Sequence, residues 1–208
     1  MSSGITGYKY HHAKLGEEHA YLMPVLGREL ARLSPPPNKV FDLGCGNGSV
    51  ARWLSERGYR VAGVDPSCDG IRQAKLAYPE LDLREGSTHD DLVGIFGTFP
   101  VVVSLEVIEH VYAPRDYLRS VWDLLEPGGR VFLSTPYHGY VKNLALALSG
   151  KLDAHFTALW DHGHIKFWSP RTITALFRET GFDVECIHRA GRLPVLAKSM
   201  MVVARKPE

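Results

Sequence analysis

Residues 39–49 read KVFDLGCGNGS, a short apolar strand that runs directly into a glycine-rich turn and then into a predicted helix. Glycine tolerates a positive φ and lets the backbone approach a ligand closely. In an open α/β sheet such a turn lies at the carboxyl end of a strand, where ligands bind. The turn departs from the GxGxxG pattern of pyrophosphate sites, because Gly48 falls one position early and Ser49 stands where the last glycine would be. A plain tight turn is the alternative interpretation.

Two acidic residues near the turn indicate what it would bind. Asp42 lies two residues before Gly44, where a carboxylate would repel a phosphate and attract a cation. Asp65 ends the next predicted strand, 21 residues after Gly44, at the position from which an acid can accept hydrogen bonds from both hydroxyls of a ribose. Together the two acids favour a positively charged nucleoside that has no phosphates.

Strands and helices alternate along the chain from residue 39. The predicted strands are Lys39–Leu43, Arg60–Val64, Leu81–Glu85, Phe99–Ser104, Arg130–Ser134, Phe182–Arg189 and Lys198–Arg205. The predicted helices are Glu17–Leu33, Ser49–Arg57, Cys68–Ala77, Arg115–Leu125, Val141–Leu152 and Pro170–Thr180. This order predicts an α/β fold, a doubly wound and mostly parallel seven-stranded sheet, with an antiparallel C-terminal strand pair because only a short loop separates the last two strands.

The length of 208 residues suits a single domain over residues 1–208. Three consecutive prolines at positions 35–37 forbid helix there and separate an N-terminal helical arm, residues 1–37, from the rest. Residues 136–169 interrupt the alternation, and we expect them to form a cap insertion on the substrate side of the sheet.

Composition excludes several classes of protein. Lys and Arg number 24 and Asp and Glu 23, for a formal net charge of +1, which argues against nucleic acid or an anionic membrane as partner. The three cysteines, Cys45, Cys68 and Cys186, fit neither a disulfide framework nor a thiolate zinc motif, and suggest a reducing compartment. Because no signal peptide or membrane span is recognisable, we expect a cytoplasmic protein in which peripheral membrane contact is disfavoured. The sequence indicates no oligomeric state.

Three motifs, VFDLGCGNG, VAGVDPS and LEPGGRVFLSTP, together resemble the class I S-adenosylmethionine-dependent methyltransferases. The resemblance spans roughly Val40 to Arg205 and implies the Rossmann-like fold of that family. It implies that the methionine end of the cofactor contacts the glycine-rich turn and that Asp65 holds the ribose. Ser87 stands where the family often has Asp beside the adenine, which departs from the pattern. The implied cofactor-binding residues are Asp42, Gly44, Gly46, Asp65, Pro66, Ser87, Leu105 and Glu106.

A second group of polar residues follows the fourth predicted strand in the sequence SLEVIEHV, Ser104–Val111. If a helix begins near Glu106, then Glu106, Glu109 and His110 lie at i, i+3 and i+4 on one face. Two carboxylates and an imidazole offer oxygen and nitrogen ligands that suit Mg²⁺, Mn²⁺ or Zn²⁺. Four of the ten histidines lie between positions 138 and 164, so a fourth ligand is available there.

EVIEH followed by a distant H-x-K-F element resembles two branches of the family, the quinone-precursor O-methyltransferases and the small-RNA 3′-end 2′-O-methyltransferases. In the second branch two Glu and two His hold a divalent metal, which implies the ligands Glu106, Glu109, His110 and His164 here. Without a metal, His110 or His164 could act as general base, and purely structural roles are a third interpretation. The resemblance places Glu106 at the reactive end of the cofactor. Weaker candidates for the ligand from the cap are His138, His155 and His162.

The function expected from these features is transfer of a methyl group to a hydroxyl of a small aromatic or apolar metabolite. Aromatic residues of the cap could stack on a planar acceptor, or pack the cap onto the sheet. Residues of the arm could close over the site; these are Tyr8, Tyr10, His11 and His12. The alternatives are methylation of an RNA 3′ end and a cofactor-binding regulator without transfer activity.

Overall fold

The computed structural model describes residues 14–16, 19–156, 158–161, 163–191 and 197–208. Five candidates from the sequence lie outside the described residues: Tyr8, Tyr10, His11, His12 and His162.

A seven-stranded sheet forms the centre of the molecule, in the order β3-β2-β1-β4-β5-β7-β6. All neighbouring strands are parallel except β7, which runs antiparallel to β5 and to β6. The predicted fold class, including the antiparallel pair at the C-terminus, is therefore confirmed. The strands are β1 (Lys39–Leu43), β2 (Arg60–Asp65), β3 (Asp82–Glu85), β4 (Phe99–Leu105), β5 (Leu125–Pro136), β6 (Asp183–Ala190) and β7 (Ser199–Arg205).

Helices cover both faces of the sheet, as parallel strands with apolar side chains on both faces require. One apolar layer includes Leu26 of α1 and Leu54 of α2, and the other includes Leu118 of α5 and Phe177 of α8, all of them inaccessible to solvent. The helices are α1 (His19–Ala31), α2 (Ser49–Ser55), α3 (Cys68–Ala77), α4 (Leu92–Phe96), α5 (Pro114–Leu124), α6 (Tyr140–Leu148), α7 (Leu152–Phe156) and α8 (Pro170–Glu179).

Three elements differ from the expectations. The helix expected over Val141–Leu152 ends earlier, at Leu148 of α6, and a second short helix, α7, begins at Leu152, with Gly150 between the two at φ +66°. Helix α4 was not expected from the sequence. Strand β5 begins at Leu125 instead of Arg130, because the Pro-Gly-Gly segment is paired: Gly128 N donates to the Lys206 carbonyl, and Lys206 N donates to the carbonyl of Gly129. That pairing joins residues almost 80 positions apart, which no local pattern indicates.

Candidate active site

The glycine-rich turn after β1 has the backbone conformation that the sequence predicted. Gly44 has φ +85°, and a Cβ atom at this position would lie 2.4 Å from Cγ2 of Val107, in the segment that follows β4. Gly46, at φ +51°, donates its amide hydrogen to Oδ2 of Asp65 at 2.9 Å. The Ser67 amide donates to the other oxygen, Oδ1, at 2.8 Å. The Asp65 carboxylate is thus fixed between the ends of β1 and β2, where it was predicted to meet a ribose.

Asp42 is the second acid of this site, and its carboxylate is 2% exposed. Among the described residues, none makes a hydrogen bond to its Oδ2 atom. Burial, followed by the neighbouring charge of Asp65, raises the pKa of Asp42 to about 7. A buried carboxylate beside a second carboxylate is unfavourable unless a cation or donor compensates it. These residues therefore fit the cationic methionine end of S-adenosylmethionine.

The other predicted cofactor residues lie at the same edge of the sheet. Pro66 is half-buried directly after Asp65. The turn before Ser87 is joined to β2, because the Gly86 amide donates to the Asp65 carbonyl at 3.1 Å. Leu105, 8% exposed, ends β4. The carboxyl ends of β1 to β4 thus present all the residues that the family resemblance implied for the cofactor.

Glu106 lies at the start of the acid-rich segment, in the left-handed region at φ +55°. Its amide donates to the carbonyl and to Oγ of Ser134, at 3.1 and 3.0 Å. Its carboxylate accepts hydrogen bonds from Oγ of Ser134, at 2.7 Å, and from Oγ of Ser199, at 3.2 Å. The prediction of a helix that begins near Glu106 is therefore wrong. Helical geometry begins two residues later, in a single 3-10 turn, Ile108–His110. The positive φ and the bonds to β5 and β7 explain the difference, and sequence reasoning missed both serines.

Glu109, His110 and His164 come together, with one ligand atom of each within 4.8 Å of the others. Glu109 is 1% exposed, and neither of its carboxylate oxygens accepts a hydrogen bond of standard geometry from a described residue, although the neighbouring Thr135 hydroxyl acts to lower the pKa of Glu109. The nearest imidazole nitrogen, Nε2 of His164, lies 3.9 Å from Oε1. Burial, and then the charge of Glu106, raise the pKa of Glu109. Glu106, the fourth predicted ligand, is not among the three residues grouped in this way.

The cap is attached to the 3-10 turn through backbone hydrogen bonds. The amides of Ile165 and Lys166 both donate to the Glu109 carbonyl, at 2.9 and 3.0 Å. Nδ1 of His110 lies 3.2 Å from the Gly163 carbonyl, and because a carbonyl only accepts, Nδ1 bears the proton. In that tautomer the lone pair of the His110 ring is on Nε2. Burial, and then the neighbouring His110, lower the pKa of His164 to about 4, so its imidazole is neutral near pH 7.

An open cleft of about 420 Å³ lies within the cap, and His164 forms part of its wall. The rings of Phe156 and Phe167 meet edge to face across 4.8 Å, so the wall is largely aromatic. Burial, then Lys142, lower the pKa of His138 to about 4. Of the two aromatic residues before α8, Trp168 packs in the core, whereas Phe167 is 46% exposed. The cleft is lined by His138, Asn143, Phe156, Ala158, His164 and Phe167.

Residues 17–187 match a family model described as a methyltransferase domain. The chain belongs to the methyltransferase family. The expected membership of the S-adenosylmethionine-dependent methyltransferases is thereby confirmed, as is the class of enzyme.

A ubiquinone biosynthesis O-methyltransferase of Pseudomonas aeruginosa is 31% identical over 153 residues, which cover 72% of this chain and 66% of the relative. The relative of the same name from Dinoroseobacter shibae is 33% identical over 168 residues, 76% of this chain and 65% of its own. The chain thus spans just under two thirds of the length of these curated relatives.

Solved structures share the fold at low sequence identity. The magnesium protoporphyrin IX methyltransferase of Synechocystis PCC 6803, solved with bound SAH, superposes with a TM-score of 0.66 at 18% identity, over 91% of this chain and 83% of its own. The [4+2]-cyclase SpnF superposes with a TM-score of 0.69 at 12% identity, over 96% of this chain and 87% of its own. Such identities establish the fold alone, and the cyclase shows that the fold does not fix the reaction.

No helix within the described residues combines the length and the apolar character that crossing a bilayer requires.

Proposed function

We propose that this methyltransferase transfers the methyl group of S-adenosylmethionine to a hydroxyl of a small aromatic or apolar acceptor held in the cleft of the cap. The observation that supports this most directly is the cleft itself, an aromatic wall that includes the imidazole of His164. The curated relatives named ubiquinone biosynthesis O-methyltransferases support oxygen as the methylated atom.

The cofactor and the acceptor would meet at the segment after β4. Val107 packs against Gly44 of the cofactor turn, and two residues later Glu109 approaches His164 of the cleft. Bound S-adenosylmethionine would supply an electrophilic methyl group on a sulfonium. Asp42 would offset the cationic methionine end of the cofactor, and Asp65 would accept the hydrogen bonds of the ribose hydroxyls. Phe156 and Phe167 would hold the acceptor ring and exclude water from its hydroxyl.

Glu109, His110 and His164 fit a divalent cation beside the acceptor. The supporting observation is the Glu109 carboxylate, which is buried, accepts no hydrogen bond of standard geometry from the described residues, and lies within 4.8 Å of two imidazole ligand atoms. A carboxylate oxygen and two imidazole nitrogens form a donor set that Mn²⁺ and Zn²⁺ accept. Such a cation would act as a Lewis acid on the acceptor hydroxyl. Glu106, whose carboxylate already accepts hydrogen bonds from two serines, would lie beside the cation site and help to support it.

Methyl transfer is tested with isotopically labelled S-adenosylmethionine and two acceptor sets, catechols and phenols with apolar substituents, and short RNAs with a free 3′ end. We expect a mass increase of the phenolic set on oxygen only. His164→Ala and Phe167→Ala should lower turnover, whereas Leu148→Ala, an exposed substitution outside the cleft, should leave it unchanged. Labelling of RNA alone, or cofactor binding without transfer to any acceptor, would overturn the proposal.

The cation is tested separately with Mn²⁺, whose binding is visible by electron paramagnetic resonance. We expect uptake of Mn²⁺ in the presence of cofactor, its loss in Glu109→Gln and His164→Ala, and activity that chelation removes and Mn²⁺ restores. Activity that resists chelation, with no Mn²⁺ bound, would refute the cation and leave His164 or His110 as general base.

A further inference from the structure

A second group of metal-ligating side chains, none of them among the candidate active-site residues, lies between helix α1 and strand β6 at the edge of the sheet. Glu29 of α1 faces Cys186 and His188 of β6, and one ligand atom of each lies within 4.8 Å of the others. Cys186 and His188 are two positions apart on a strand, so both side chains are on the face against which α1 packs. Neither the family resemblance nor the proposed reaction uses these residues.

The geometry of the three groups is convergent. Nε2 of His188 lies 3.2 Å from Sγ of Cys186 and 3.2 Å from Oε1 of Glu29. A proton relay through an imidazole uses its two ring nitrogens, one for each neighbour. Here a single nitrogen faces both neighbours, so one N–H hydrogen cannot serve both well. Both 3.2 Å separations are close to the ligand–ligand distances of a tetrahedral zinc site, about 3.3–3.7 Å for bonds of about 2.0–2.3 Å, and the third separation is within 4.8 Å.

We infer that Glu29, Cys186 and His188 form a zinc-type cation site that joins helix α1 to strand β6. Sulfur, nitrogen and oxygen donors together suit Zn²⁺, with water as the fourth ligand. The site is accessible, because the His188 side chain is 24% exposed and Cys186 is half-buried. Binding would displace the thiol proton to solvent.

A cation at Glu29 would compete with two arginines: Nε of Arg28 lies 3.7 Å from Oε1, and Arg32 is closer. Its NH1 atom lies 2.6 Å from Oε1 of Glu29, the oxygen that also faces His188. The Arg32 side chain is 63% exposed, so it can leave the carboxylate for solvent at little cost. Removing this positive charge should therefore strengthen cation binding.

The test is titration of the full chain with Co²⁺, a spectroscopic substitute for Zn²⁺ that shows a sulfur-to-metal charge-transfer band only when a thiolate is a ligand. We expect the band in the wild-type protein, its displacement by Zn²⁺, and a Tm that rises with added Zn²⁺. Cys186→Ser should abolish the band. His188→Ala should weaken Co²⁺ binding by more than about 100-fold, since loss of an outer-shell partner alone costs about 10- to 100-fold. Arg32→Ala should tighten binding.

Cys68→Ser is the matched control, because Cys68 is exposed and its Sγ is directed at Glu85 on another part of the surface. The control should keep the wild-type band, and circular dichroism without metal should show that every variant is folded. Absence of the band from the wild-type protein, or its persistence in Cys186→Ser, would overturn the inference.

Discussion

Asp42 combines an unfavourable environment with a predicted binding role. Its carboxylate is buried beside Asp65, and its Oδ2 atom has no hydrogen-bond donor among the described residues. A residue of this kind lowers the free energy of unfolding of the protein but contributes to ligand binding. The free energy of unfolding and the affinity for the cofactor should therefore respond in opposite directions when the charge of Asp42 is removed.

Asp42→Asn should raise the Tm of the cofactor-free protein, and more at pH 8 than at pH 5. The folded-state pKa is about 7, against an ordinary value of 3.8, so between these values the folded protein holds a proton that the unfolded chain has released. Stability therefore falls as the pH rises through this window, by at most about 4 kcal/mol, and the loss is complete above about pH 7. Each kcal/mol corresponds to about 2–4 °C in a chain of this size.

The same variant should bind S-adenosylmethionine about tenfold or more weakly, because a hydrogen bond to a charged group contributes about 1.5–3 kcal/mol. Scanning calorimetry at the two pH values and cofactor titration provide the measurements. A Tm gain that does not depend on pH would contradict the assignment of the raised pKa to Asp42.

Gly44 shows how steric contact between two loops fixes the site. Gly44→Ala should destabilise the protein for two reasons, the positive φ and the overlap of the new Cβ with Val107. Gly58→Ala isolates the first reason, because Gly58 has φ +88° and has nothing within 4 Å of the new Cβ. We expect about 1–2 kcal/mol for Gly58→Ala and about 1–3 kcal/mol more for Gly44→Ala.

Urea unfolding of both variants measures this difference, and Val107→Ala combined with Gly44→Ala should return part of it. Equal losses for Gly44→Ala and Gly58→Ala would show that the turn does not pack tightly against the segment after β4.

Among the secondary-structure elements, the cap helices α6 and α7 differ from the helices that cover the sheet, because neither contains a buried residue. Their contribution should therefore be to the acceptor site more than to the core. Phe156→Ala should raise KM for the acceptor roughly 3- to 10-fold, as expected for loss of one aromatic contact, with kcat nearly unchanged. Leu148→Ala, in α6 at a position 81% exposed, is the control and should change neither. Steady-state kinetics with the preferred phenol provides the test, and equal effects of the two substitutions would contradict it.

The elements that could be predicted from the sequence are those defined by local patterns. Strand β1, its turn and Asp65 were predictable because glycine spacing and the position of an acid at a strand end are local signals. The conformation of Glu106 was not, since it depends on Ser134 and Ser199, which come from strands 28 and 93 residues away. The sequence paired Glu109 with His110 and His164, but could not show that Glu109 is the buried member, because its burial follows from packing of the cap.

At the scale of the whole molecule, one sheet separates two apolar layers. The same strands contribute side chains to both layers. We therefore expect residues 1–208 to unfold as one cooperative domain. Trp53 packs against the layer of α1 and α2, and Trp122 against the layer of α5 and α8, so the two indoles report on opposite faces. When Trp160 and Trp168 are also replaced by Phe, Trp53→Phe and Trp122→Phe each leave one indole, and fluorescence and circular dichroism should give the same urea midpoint.

Substitutions on opposite faces test this coupling. Leu54→Ala and Leu118→Ala each remove an inaccessible side chain from a different layer, and each should lower the free energy of unfolding by about 2–5 kcal/mol. Because the two layers share one sheet, each substitution should lower the urea midpoints reported from both faces by the same amount. The m value should not change. S-adenosylmethionine at about 100 times its Kd should raise the free energy of unfolding measured on each face by about 2.7 kcal/mol, although the proposed cofactor residues all lie at the carboxyl ends of the strands. A transition that moves on one face alone would show that the layers unfold independently and that the chain contains two cooperative units.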